Sequence, residues 1–179
     1  MDTENDIQNL PKEKQTIPGL YVTARGAYER WKLDPERVKI IDVRTPEEFL
    51  FVGSPEMAWR IPVAVQLYEW DTEKGNFPMT LLPDFVTRVR EAMQPGDTLM
   101  LMCRSGGRSA IAVNLLAKVG FTQVYQIIDG MEGDIVAEPG SVFSGKRLKN
   151  GWKNSGCPWT YTITPERMAL PNTPVPKSS

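Results

Sequence analysis

A chain of 179 residues, 41% hydrophobic and 24% charged, has enough apolar content for one sizeable core. Its formal net charge of -1, without a basic block or stripe, gives no electrostatic footprint for nucleic acid or a membrane surface. There is no histidine, so the commonest general base and metal ligand is missing, and two cysteines make neither a disulfide framework nor a C-x-x-C zinc pattern. No metal or other cofactor is expected.

No apolar run approaches the roughly 20 residues of a membrane span, and "MDTENDIQNLPKEKQTIPGL" holds no signal-peptide core. The chain as written is expected in the cytoplasm; a leader removed ahead of Met1 would place it in the periplasm instead.

Residues 1–17 are polar, proline-interrupted and aperiodic, which predicts a disordered arm. From Thr23, "TARGAYERWKL" has an N-cap residue and helical apolar spacing, and Asp34-Pro35 ends it. "RVKIIDVR" predicts a buried strand, and "TPEEF" a helix start with proline at its first position and acids in its first turn. The stretch "GSPEMAWRIPVAVQLYEWDTEKGNFPMTLLP" fits neither a long helix nor a clean hairpin, so a strand near Trp59–Pro62 followed by an irregular insertion is expected. Phe85, Val86, Val89 and Met93 recur at helical spacing in "PDFVTRVREAM", and "QPGD" stops that helix. The strand "TLMLM" follows, then a cysteine loop, then the helix "RSAIAVNLLAKVG" with Gly120 in the terminating position. "QVYQII" reads as a further strand, closed by a turn or short helix at "DGMEGD".

Strands alternating with helices predict an α/β fold, an open parallel sheet with helices on both faces. The predicted organisation is an arm at 1–17, the α/β domain at 18–137, and an extension at 138–179 that packs on the domain and finishes in a loose end over the last ten residues. The extension interleaves basic and aromatic residues in "GKRLKNGWKNSGCPWTYTI". Base stacking is one use of such a pattern, but packing of its aromatic residues onto the parent domain is the stronger reading, since the chain as a whole is not basic.

The segment that interrupts an apolar strand and helix, "CRSGGRS", carries the chemistry. In a parallel α/β sheet, ligands bind beyond the carboxyl ends of strands, where the following helix points its N-terminus. Cys103 stands there. Gly106 and Gly107 can adopt positive φ, which lets successive N–H groups face one point as an anion nest. Arg104 and Arg108 add permanent positive charge with fork geometry suited to oxyanions, and Ser105 and Ser109 complete the loop. Turning an ordinary cysteine from a few per cent thiolate at pH 7 to mostly thiolate takes about 3 kcal/mol. A helix dipole supplies roughly 0.3–1 kcal/mol, whereas each hydrogen bond to a charged group supplies about 1.5–3. Loop N–H groups are therefore expected to dominate the activation.

Cys103 could be a buried inert cysteine, although its charged and glycine-rich neighbours are poor company for a core residue. Cys157, in "SGCPW", is expected to be a packed or half-exposed thiol, with a resolving role as the minor reading. Asp42 and Arg44 could form a structural ion pair at the end of their strand or brace the cysteine loop through its backbone or Arg108. Glu47 carries the same two readings.

In order and spacing, "IIDVRTPEEF", "WRIPVA", "CRSGGRSAIAVNLLAKVGF" and "VYQIIDGMEGD" resemble a single-domain rhodanese of the thiosulfate sulfurtransferase family over about residues 20–135. The "GWKNSGCPW" tail resembles the end of many bacterial members. The resemblance implies a parallel α/β sheet and a Cys103 persulfide, loaded by a donor such as thiosulfate and discharged to cyanide or a thiol, with a partner protein as a further acceptor. Members commonly carry Gly-His before the Ile-Pro stretch, and here Ser54 follows Gly53. The rival readings are a Cys-dependent phosphatase or arsenate reductase, whose loop has five residues between cysteine and arginine where this one has four, and a non-catalytic docking module.

Overall fold

Strand β1 (Tyr21–Val22) leads into helix α1 (Ala24–Leu33), and β2 (Val38–Asp42) into α2 (Pro46–Phe51). Four short strands follow, β3 (Ser54–Pro55), β4 (Trp59–Arg60), β5 (Ala64–Gln66) and β6 (Met79–Leu81), then α3 (Phe85–Ala92). After β7 (Thr98–Met102) come α4 (Gly107–Lys118), β8 (Val124–Ile127) and, in the extension, β9 (Trp159–Thr160). The computed structural model describes residues 7, 9–94 and 96–176.

The main sheet runs β1-β8-β7-β2-β4, and every adjacent pair is parallel. β2 and β7 sit at its centre, apolar on both faces as a doubly covered parallel sheet requires. With the period of two, Ile41, Leu99 and Leu101 face one layer, where they meet Phe85 and Val89 of α3 and Val113 and Leu116 of α4. Ile40, Met100 and Met102 face the other, where Ala24 and Ala27 of α1 and Trp152 of the extension cover them. Each such aliphatic side chain contributes on the order of 1.5–3 kcal/mol by leaving water. Helices therefore lie on both faces.

Local signals fix the helix starts. Thr23 caps α1 by accepting from the Gly26 N–H at 3.2 Å. Thr45 and Glu48 form a reciprocal capping box on α2, with Pro46 at its first position. Among the described residues no helix is long and apolar enough to cross a membrane.

Three expectations change. The arm is not loose where it is described: Lys12–Lys14 form a 3-10 turn, the Ile17 N–H donates to Asn114 Oδ1 of α4 at 2.7 Å, and Lys14 is buried, its ammonium on the Ile128 carbonyl and Asp134. Specific polar partners hold a segment that hydrophobicity alone would leave free. Residues 1–6 and 8 lie outside the described residues. In the insertion, β5 and β6 pair antiparallel over three residues each, a ladder too short, across too long a connection, to show as alternation. The expected loose end packs in part: Val175 lies against the core layer of α3, and the end is anchored just ahead of it by Ala169, a core residue whose N–H donates to the Arg60 carbonyl and whose carbonyl accepts from Arg88. Residues 177–179 lie outside the described residues.

Candidate active site

Cys103 is the first residue past β7, at the carboxyl edge of the sheet, and its loop turns into α4 over four residues. The turn needs Gly106. Its φ is +113°, and a Cβ there would come within 2.6 Å of the Ile128 carbonyl oxygen, so a side chain is excluded both by backbone conformation and by space. Gly107, also expected at positive φ, instead opens α4 with nothing within 4 Å of where its Cβ would be. The outer carbonyls of the loop are tied down from the turn that follows β8: Met131 N–H donates to the Cys103 carbonyl at 2.8 Å and Glu132 N–H to the Arg104 carbonyl at 3.0 Å. Gln126, fully buried on β8, donates to the Gly106 carbonyl at 2.8 Å.

The sulfur is 3.1 Å from the Gly106 N–H, which donates to it. The Ser109 hydroxyl lies 3.6 Å from the sulfur and 3.0 Å from the Gly106 carbonyl, so its single proton serves one acceptor at a time. Among the described residues, the N–H groups of Ser105, Gly107 and Arg108 have no protein acceptor, as the first turn of a helix requires of some of its donors. The residue as a whole is buried, so whatever reaches the sulfur comes through the loop mouth.

The two arginines differ. Arg108 makes a bidentate pair with Glu48, at 2.6 and 2.7 Å, with both side chains more than four-fifths buried. Burial by itself would raise the Glu48 carboxyl; the Arg108 guanidinium, helped by the Thr45 N–H and Arg44, overrides it and leaves the group below the ordinary carboxylate range. The same pair holds Arg108 above its ordinary value against the pull of burial. Arg104 is exposed. It shares a cleft of about 680 Å³ with Arg108, Glu48 and the hairpin residues Tyr68 and Phe77.

The acids and arginine of the "DVRTPEE" stretch take separate places. Asp42 and Arg44 are fully buried and paired through Nε at 2.9 Å and Nη2 at 2.6 Å. Arg44 also donates to the Gly53 carbonyl, and Ser54 Oγ to Asp42 at 2.9 Å. Asp42 is thus committed to Arg44 and Ser54 and fixes the α2–β3 turn, and the Ser54 hydroxyl is part of that network. Glu47 does not reach the loop: its carboxylate accepts from the exposed Tyr68 hydroxyl at 2.7 Å, which lowers its pKa. The carboxylate on Arg108 is Glu48, which sequence reasoning passed over. Its signal was present, because the third position of a capping box turns its side chain back toward the helix start. Gln126 was legible as the polar residue inside an otherwise apolar strand. Lys14, whose stem lies against Gly106, carried no such mark.

Cys157 lies on the other side of the sheet, in the layer of α1 and Trp152, whereas Cys103 belongs to the layer of α3 and α4. Both thiols are free. Burial pushes the Cys157 thiol up. Only part of the extension's aromatic set packs inward, for Phe143 and Tyr161 stay exposed: Trp152 is fully buried with its indole N–H on the Pro158 carbonyl, and Lys153 sits 3.9 Å above the half-buried Trp159 ring while donating to the Val52 carbonyl. Trp152 N–H and Lys153 N–H also donate to the carbonyls of Gly130 and Met131, and so brace the segment that holds the cysteine loop.

A family model described as a rhodanese-like domain matches residues 27–134. The uncharacterized protein RP600 of Rickettsia prowazekii is 30% identical over 125 residues, 68% of this chain and 82% of that protein. Thiosulfate sulfurtransferase 16, chloroplastic, of Arabidopsis thaliana is 35% identical over 92 residues, 51% of this chain and 69% of that protein. The crystal structure of Rv0390 from M. tuberculosis superposes with a TM-score of 0.60 at 28% identity, covering 79% of this chain and 96% of that one.

Proposed function

The chain belongs to the rhodanese-like domain family, and from that premise we propose that it is a sulfurtransferase working through a Cys103 persulfide. The Cys103 thiolate attacks the outer sulfur of thiosulfate. A new S–S bond forms, the S–S bond of thiosulfate breaks, and sulfite leaves with the electron pair, so charge balances without a proton transfer. Cyanide or a thiolate then attacks the terminal sulfur, giving thiocyanate or a new persulfide and returning the Cys103 thiolate. This is covalent catalysis that divides the transfer into two displacements, and neither step needs histidine.

The observation that carries the reading is the loop backbone: one N–H already on the sulfur at 3.1 Å, and those of Ser105, Gly107 and Arg108 in the same loop and helix start left without a protein acceptor among the described residues. Preorganised donors of this kind suit a thiolate, and then the outer sulfur of a persulfide anion. Glu48 holds Arg108 in place through its Nη1 and Nη2 groups, fixing the guanidinium at the end of the loop. A loop of four residues between Cys103 and Arg108 encloses a smaller reacting atom than one of five.

Initial rates over a grid of thiosulfate and cyanide concentrations test the proposal. Parallel double-reciprocal lines are expected for a substituted-enzyme mechanism, with thiocyanate production abolished in Cys103→Ser. Turnover retained by that variant, or hydrolysis of an aryl phosphate in place of sulfur transfer, overturns it.

A further inference from the structure

The β5–β6 hairpin exposes Leu67, Tyr68, Trp70, Phe77, Met79 and Leu81, each at least 39% accessible. Among the described residues it pairs with no other sheet. It is not remote from the chemistry: Gln66, Tyr68, Phe77 and Met79 form one wall of the cleft whose other wall holds Arg104 and Arg108. An apolar surface that shares a cleft with the two arginines of the cysteine loop, and extends beyond it to Trp70 and Leu81, is larger than cyanide or a small thiol can use. The unpaired charges around it are mostly acidic. Glu48–Arg108 and Asp71–Lys74 are paired. Glu47 and Glu132 on the cleft and Glu69 and Glu73 on the hairpin loop have no ion-pair partner among the described residues, against two unpaired cations, Arg104 and Lys153, whose ammonium lies on the Val52 carbonyl.

We propose that this hairpin and cleft rim dock a cysteine-bearing segment of another protein, basic around its cysteine, which takes the sulfur from Cys103. The proposal rests on the sulfur-transfer reading and names its acceptor. The apolar wall supplies contact area, and the acidic rim selects and steers a cationic partner. A rim-to-rim contact with a second copy of this chain would bring like charges together.

The test uses full-length protein loaded with thiosulfate, freed of donor, and checked by intact mass for one added sulfur. Transfer is then timed to three probes: cyanide, a Cys peptide flanked by Lys and Leu, and a peptide of equal length with Glu in place of Lys. A preference of about tenfold or more in kcat/KM for the basic peptide is expected, falling as ionic strength rises. Glu69→Lys/Glu73→Lys should remove most of that preference, and Trp70→Ser should slow both peptides, while cyanide discharge stays within about twofold in each variant, as for changes outside the reacting centre. Equal rates for the two peptides, a preference untouched by charge reversal, or cyanide discharge impaired to the same degree overturns the docking surface. A dimer in light scattering that Trp70→Ser dissociates also overturns it and reassigns the face to a second copy. Failure of the wild type to load overturns the parent reading and the docking with it, whereas normal loading without peptide preference overturns the docking alone.

Discussion

Replacing Glu48 by Gln strips the charge from the carboxylate on Arg108 while keeping an oxygen for the Thr45 N–H, which Glu48 Oε2 accepts at 3.0 Å. The two bonds to Arg108, 2.6 and 2.7 Å, have charge-assisted geometry. Exposed pairs of this kind are worth about 0–1 kcal/mol and removal of one partner from a fully buried pair costs about 3–5. With the side chains 17% and 18% exposed, the pair lies between these limits but nearer the second, so the loss is placed at about 2–3 kcal/mol. For a chain of this length that corresponds to a fall in Tm of about 5–10 °C. Urea unfolding of the wild type, Glu48→Gln, Arg108→Met and the double variant isolates the pair, and a coupling energy of about 2 kcal/mol is expected. A coupling below about 0.5 kcal/mol would mean that the pair behaves as a surface contact and would refute the reasoning. The pH dependence gives a second check. Because the folded Glu48 pKa is lowered, its contribution is full above the unfolded carboxylate pKa and is lost as pH falls through the lower folded value. The wild-type advantage over Glu48→Gln should therefore hold at neutral pH and vanish only in acid.

Gly106→Ala should cost at least about 2 kcal/mol and abolish activity, because the new Cβ meets the Ile128 carbonyl at φ +113°; wild-type turnover in the variant would show that the loop need not hold this shape. Cys157→Ser should keep most of the activity and lose about 1 kcal/mol of stability from a buried hydroxyl, and a loss of turnover without unfolding would place that thiol in the reaction. Arg60 is buried, with Nε and Nη1 lacking acceptors among the described residues, and burial pushes its pKa down. Arg60→Met should therefore raise stability by about 1–3 kcal/mol, and a lower urea midpoint would show that the guanidinium is stabilised where it sits.

The elements that sequence could reveal are those with strong local or periodic causes. Thr23 and Thr45 mark helix starts because a hydroxyl there satisfies an N–H that the helix leaves open. Ile40, Ile41 and the run Leu99–Met102 mark central strands because both faces of the sheet are covered. Cys103, Gly106 and Arg108 were legible because their chemistry is concentrated in one loop. What stayed hidden depends on distance in the chain. Lys14 reaches Asp134 across 120 positions, and Ala169 joins a core built mostly from residues before 125; neither has a local pattern. The choice between Glu47 and Glu48 depended on direction within one helical turn. Asp42 followed the structural alternative because Arg44 and Ser54 are nearer to its carboxylate than the loop is.

Intact-protein mass spectrometry after incubation with thiosulfate, before and after cyanide, tests sulfur transfer by Cys103 most directly. The expected result is a gain of one sulfur on the wild type, reversed by cyanide and absent from Cys103→Ser. No gain on the wild type under non-reducing conditions, or an equal gain on Cys103→Ser, would contradict the assignment of Cys103 as the residue that carries the sulfur.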